Sequence, residues 1–136
     1  TTTGHTPQVQ AVLDGAGILA GQQLARRVAV AEHVQDFAIR LVLATHPGGE
    51  FAADITNRYV RFGSSPRGVQ ALVLAAKVRA VLDERYHVSF QDIEQSLLPA
   101  LRHRLIVNFE AQAEGITTDA VLKEVLDKTP KTMATA

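Results

Sequence analysis

The run that opens at Pro66 constrains the fold more than any other part of the chain. Val69, Leu72, Val73, Ala76 and Ala80 recur at helical spacing and form one apolar stripe. Leu74, Ala75, Val78 and Val81 cover much of the remaining circumference. A helix that is apolar on most sides must be surrounded by other elements, so this one belongs at the centre of a bundle. Pro66 suits its first position, where a missing N–H costs nothing, and the pattern runs out near Asp83. The 136 residues suffice for one modest domain with its own core.

The flanking segments supply the partners of that helix. Asp14 can cap a helix to about Arg27, anchored by Ile18, Leu19, Leu24 and Val28 and weakened by Gly15, Gly17 and Gly21. Val34, Phe37, Ala38 and Leu41 place one buried face on a helix over about Glu32 to His46. Pro47-Gly48-Gly49 ends it. Gly48 to Ser64 has no clear period and reads as a loop with a short turn around Ile55 to Tyr59. Tyr86-His87-Val88 reads as a short extended piece. Ser89 opens a further helix with Asp92 in a capping-box arrangement. Ile93, Leu97 and Leu101 form its inner side, and a kink or break is expected before Pro99. Leu105 to Phe109 reads as extended, and Thr118 to Lys128 as a final amphipathic helix stopped by Pro130. The expected fold class is therefore all-α: a small helical bundle of about five helices with long loops and at most a minor short extended pair. It spans residues 12–130, between a polar lead-in at 1–11 and a disordered tail at 131–136.

Composition excludes several classes of function. Fourteen Lys and Arg balance fourteen Asp and Glu, so no net charge draws the chain to nucleic acid or a membrane surface. There is no cysteine, which removes disulfides and thiolate metal sites and fits a reducing compartment. The longest purely apolar run, Ala71 to Ala76, is too short to cross a bilayer, and the first residues lack the pattern of a signal peptide. No P-loop of the GxxxxGK[ST] kind is present. Val81-Leu82-Asp83-Glu84 imitates a metal-binding strand end but continues the central helical stripe. Gly63-Ser64-Ser65-Pro66-Arg67 misses the nucleophile elbow, because Arg67 replaces its second glycine. His5, His33, His46, His87 and His103 offer no helical ligand pair, so no metal site is expected. No self-contained catalytic set emerges.

Charge is not evenly spread, however. From Ile55 to Arg104 there are eight basic and four acidic residues, and ten of the fourteen cations are arginine, the residue suited to bidentate anion contacts. Two places concentrate the signal. In Gly63-Ser64-Ser65-Pro66-Arg67-Gly68, Gly63 permits a bend, Ser65 can cap the free amides, and Arg67 falls in the first helical turn. A cation is disfavoured there by the helix dipole unless an anion joins it. On spacing alone, a capped helix with a solvated arginine is the simpler explanation. Arg102-His103-Arg104 lies at a helix end where cations suit the dipole, or where an acidic partner, a neighbouring subunit or a nucleotide could be met.

Four blocks, in order and at similar spacing, resemble the C-terminal lid of MoxR-type AAA+ ATPases. They are Gly63-Ser64-Ser65-Pro66-Arg67, Ala75-Ala76-Lys77, Tyr86-His87-Val88-Ser89-Phe90-Gln91-Asp92-Ile93 and Leu101-Arg102-His103-Arg104-Leu105. The family patterns are close to GASPRA, AAK or AAR, YVxPEDV and VLRHRI. Leu41-Val42-Leu43-Ala44-Thr45-His46-Pro47 is similar to the family's LVxATRP. The resemblance covers roughly Val12 to Pro130. Ser64 and Gly68 stand where alanines are usual, Phe90-Gln91 replace Pro-Glu, and His46 replaces a common arginine. The family's nucleotide-binding core is not among these residues.

The resemblance implies a role for Arg67 as the sensor 2 residue, which reaches ATP phosphates held by the core, with Ser65 and Ser64 beside it. It implies ATP with Mg as the parent protein's cofactor, none bound to this chain alone, and no activity of the chain by itself. It implies partners in its own AAA+ core, in neighbouring subunits of a hexameric ring and in a von Willebrand factor A domain protein; Arg102 and Arg104 stay candidate interaction residues on their charge alone. The role implied is chaperone-like remodelling or maturation of partner proteins, in the cytoplasm and away from membranes. The alternative is an independent helical binding module, such as a nucleic-acid binder using Arg58, Arg61, Arg67, Arg102 and Arg104. The neutral charge and 5% aromatic content count against it.

Overall fold

The structure, a computed structural model, describes residues 9–132. Residues 1–8 of the lead-in and 133–136 of the expected tail lie outside the described residues. The described chain forms seven helices and two short strands: α1 (Gly15–Arg27), α2 (Glu32–Leu43), α3 (Asp54–Tyr59), β1 (Val60–Phe62), α4 (Pro66–Leu82), α5 (Phe90–Leu101), β2 (Ile106–Val107), α6 (Phe109–Glu114) and α7 (Thr118–Lys128).

Two helices exceed the expected five: α3 lies in the stretch read as loop, and α6 starts at the end of the stretch read as extended and runs through residues given no element. α3 and α6 are six residues each, shorter than two turns, so their apolar spacing cannot reveal a period. Their tertiary contacts make them visible. Arg58 on α3 grips Glu110 and Glu114 on α6 at 2.7 Å each, and Tyr59 donates to Glu114 at 2.6 Å. β1 pairs antiparallel with β2, Val60 opposite Val107 and Phe62 opposite Ile106. A second extended contact joins Ala29 and His87: Ala29 N–H donates to Tyr86 O at 3.1 Å and Val88 N–H to Ala29 O at 3.0 Å.

α4 packs against α1, α2 and α5, as its apolar circumference requires. Leu72, Ala76 and Ala80 are fully buried, facing Phe37 and Leu41 of α2 and Ile93, Leu97 and Leu101 of α5. Val121, Leu122 and Val125 of α7 close the core from the α5 side. The burial of α4 is nonetheless incomplete, since Leu74, Val78 and Leu82 remain exposed. α1 departs further from expectation. Asp14 caps it through Gly17 N–H at 2.7 Å, but Ile18, Leu19 and Leu24 are exposed and only Ala25 is buried. The helix meets α4 near its C-terminal end, where Lys77 Nζ donates to Arg26 O at 3.2 Å, so the upstream apolar residues find no core.

α5 runs unbroken through Pro99 to Leu101. The break expected there does not occur because Pro99 lies in the last turn, where only the bond back to Gln95 is lost. At its other end the Ser89–Asp92 capping box forms in full. Arg85, just past α4, adds two hydrogen bonds to the same carboxylate, at 2.8 and 2.6 Å. Burial opposes charge on Asp92 most strongly. The bonds from Arg85 and from the backbone and hydroxyl of Ser89 together outweigh it and hold its pKa at about 2.

At the chain's far end, Lys131 is tied to the bundle. Arg40 Nη2 donates to Pro130 O at 3.0 Å and to Lys131 O at 2.9 Å, and Lys131 Nζ pairs with Glu94 at 2.6 Å. Among the described residues, no helix is long and apolar enough to cross a membrane.

Candidate functional site

The turn into α4 is built from three close contacts. Ser64 is fully buried and its N–H donates to Thr45 Oγ1 at 2.9 Å. Thr45, just beyond α2, donates in turn to Val42 O at 2.6 Å. Gly63 serves close approach rather than an unusual bend: a Cβ there would meet Thr45 O at 2.5 Å. A Cβ on Gly68 would overlap Ser64 Oγ. Ser64 therefore turns its hydroxyl inward, where it finds no partner. Ser64, expected beside Arg67 at the phosphates, is fully buried with its hydroxyl packed against Gly68.

Ser65 occupies the N-cap position of α4 with an extended backbone, but its side chain makes no capping bond. Its carbonyl accepts from Gly68 N–H at 2.7 Å. Pro66 has no N–H to cap, and no side chain caps Arg67 N–H, the remaining amide of the first three positions. Arg67 follows in the first turn, exposed, with no acidic residue beside it in that turn. Among the described residues its guanidinium has no ion pair or hydrogen bond, unlike Arg58, Arg85 and Arg102. An uncapped helix start with an uncommitted arginine fork is an anion-binding arrangement.

Beside it lies an apolar groove of about 470 Å³ between α2 and α4, lined by Ile39, Val42, Leu43, His46, Pro66 and Val69. The site thus pairs a cationic point with an apolar wall. The spacing marks Val69 as part of the apolar stripe of α4, but it does not show that this edge of the stripe and the apolar side of α2 leave a groove between them.

Arg102 and Arg104 come to the same end of the helix pair, because Leu101 lies against Gly68. They do not join Arg67 chemically. Arg102 Nη2 pairs with Asp119 at 3.0 Å, and Arg104 Nε donates to Ala100 O at 3.0 Å, at the end of α5 where the dipole favours it. Arg58 is paired with Glu110 and Glu114, and Arg61 stacks on Phe62 with its guanidinium carbon 5.2 Å from the ring centre. The five arginines of the nucleic-acid alternative form no free basic stripe.

Residues 52–125 match the model of the AAA lid domain family. The chain is 30% identical over 120 residues to chaperone MoxR1 of Mycobacterium tuberculosis, a match covering 88% of this chain and 32% of that protein. It is 39% identical over 61 residues to protein MoxR of Paracoccus denitrificans, covering 43% of this chain and 18% of that one. A solved structure from Cytophaga hutchinsonii, described as a candidate ATPase, superposes with a TM-score of 0.84 at 31% identity, over 90% of this chain and 37% of that one. The chain thus spans between 18% and 37% of the length of these proteins.

Proposed function

The chain belongs to the AAA lid domain family, as a lid of the MoxR type, and from that premise we propose that Arg67 is its sensor 2 arginine, reaching the phosphates of ATP held by a nucleotide-binding core. The observation that carries this is the state of Arg67: exposed, without a partner among the described residues, and at the start of a helix that no side chain caps.

The residues present fit such a ligand. The arginine fork offers two parallel donors to phosphate oxygens, and the amides of the first turn of α4 add partial positive charge. The groove along Val42, Leu43, Pro66 and Val69 offers an apolar surface beside that charge. ATP supplies the phosphoryl group whose transfer the parent protein catalyses. This chain holds and orients: Arg67 takes up charge on the phosphates, and its engagement couples the nucleotide to the angle of the lid. Magnesium is assigned to the core and to no residue of the lid.

On this reading the whole protein is an ATPase that works as a chaperone-like remodeller in the cytoplasm. Neighbouring subunits of a hexameric ring and a von Willebrand factor A domain protein are its proposed partners. The lid alone neither hydrolyses ATP nor binds it tightly. Joined to its core it supports turnover, and Arg67→Ala slows that turnover. A joined protein in which Arg67→Ala turns over ATP at the parental rate would remove the sensor role.

A further inference from the structure

We propose that Thr45 is a positioning residue for Arg67, acting through the close-packed seat beneath the start of α4; this rests on the sensor reading above. Arg67 has no side-chain partner among the described residues, so nothing distal orients it. Its direction is inherited from the backbone of the Gly63–Gly68 turn, and that backbone is fixed at three points.

The first point is the Thr45 hydroxyl. It donates to Val42 O at 2.6 Å and accepts from Ser64 N–H at 2.9 Å, so one buried group joins the end of α2 to the chain entering α4. The second is Gly63, pressed so near Thr45 that a Cβ would lie 2.5 Å from its carbonyl oxygen. The third is Gly68, where a Cβ would overlap Ser64 Oγ and stand 3.1 Å from Leu101 Cδ2. Ser64 Oγ, buried and unpartnered, fills the space that a methyl at position 68 would take. Ser64 and Gly68 are thus a matched pair, with one heavy atom on the first rather than on the second. The seat has no slack, and Arg67 projects from its middle. Displacement of a charge-stabilising group by about 1 Å can cost on the order of 10²-fold in rate, so the seat bears directly on the arginine's function.

The test is a double-mutant cycle on ATP turnover in the chain joined to its core. Thr45→Val keeps the side-chain shape but leaves Ser64 N–H buried and unpaired. It should slow turnover about 10-fold, with Thr45→Ser restoring most of the rate. In the Arg67→Ala background, Thr45→Val should have no further effect, because the group it misdirects is gone. A Thr45→Val rate equal to the parent, or a loss that multiplies that of Arg67→Ala, overturns the positioning role alone. An Arg67→Ala rate equal to the parent overturns the sensor reading and this proposal with it. Should Thr45→Val fail to fold, the matched pair decides. Gly68→Ala should slow turnover and Ser64→Ala/Gly68→Ala should recover it, and a double variant as slow as Gly68→Ala contradicts the proposal.

Discussion

Arg85 holds Asp92 by both carboxylate oxygens, Nη1 on Oδ2 at 2.8 Å and Nη2 on Oδ1 at 2.6 Å. The pair joins the end of α4 to the first turn of α5, so the two most closely packed helices are tied at the turn as well as along their lengths.

The pair makes stability depend on acid. The pKa of Asp92 falls from 3.8 to about 2 on folding. A depressed carboxylate stabilises the fold above its unfolded pKa, and that contribution fades as pH drops toward the folded value. The shift corresponds to about 2 kcal/mol at neutral pH. Urea melts should show that much lost between about pH 5 and pH 2. Asp92→Asn, which also leaves Ser89 N–H and Arg85 with a weaker acceptor, should be less stable by about 2–3 kcal/mol at pH 7 and flatter across that window.

The centre of the bundle should be sensitive on one side of α4 only. Leu72 is fully buried and Leu82 is 76% exposed. Leu72→Ala should cost about 2–5 kcal/mol in thermal or chemical melts, and Leu82→Ala less than about 0.5 kcal/mol. Equal losses would mean that α4 packs by a different face.

Most of this frame was legible in the sequence, for a physical reason. α2, α4, α5 and α7 are long enough for a 3.6-residue period to show, and Ser89 with Asp92 announces its own cap. What was missed depends on distant contacts. α3 and α6 are held by ion pairs between residues 52 and 56 positions apart, and β1 finds β2 across a similar span. No local pattern carries that information. α1 misled for the converse reason: Ile18, Leu19 and Leu24 are spaced as an apolar face, but little of the chain is there to cover them. At the site, the residue types around Arg67 were readable. The inward turn of Ser64 and the role of Thr45, nineteen residues away, required the fold.

The chain beyond α7 should come loose when Arg40 is removed. Arg40 is buried, and its two bonds reach consecutive carbonyls of Pro130 and Lys131. Arg40→Met keeps the apolar stem and loses both bonds. It should cost about 2 kcal/mol and let trypsin cut after Lys131 several times faster, with the rest of the bundle still protected. Unchanged cleavage would mean that the Lys131–Glu94 pair suffices.

Nucleic acid should not be retained. Arg58 and Arg102 are paired with acids of the same chain, and the formal net charge is zero. Titration of the chain with DNA and RNA in low-salt buffer should give no binding. An affinity that falls linearly as log salt rises would instead reveal phosphate contacts.

The central claim rests on Arg67, and one measurement bears on it most directly: ATP turnover by the chain joined to its core, with and without Arg67→Ala. A sensor arginine should contribute less than the 10³–10⁵-fold of an arginine finger, so the variant is expected to be slower by about 10–100-fold while melting at the parental temperature. Turnover within a factor of two of the parent, in a protein equally well folded, would contradict the account.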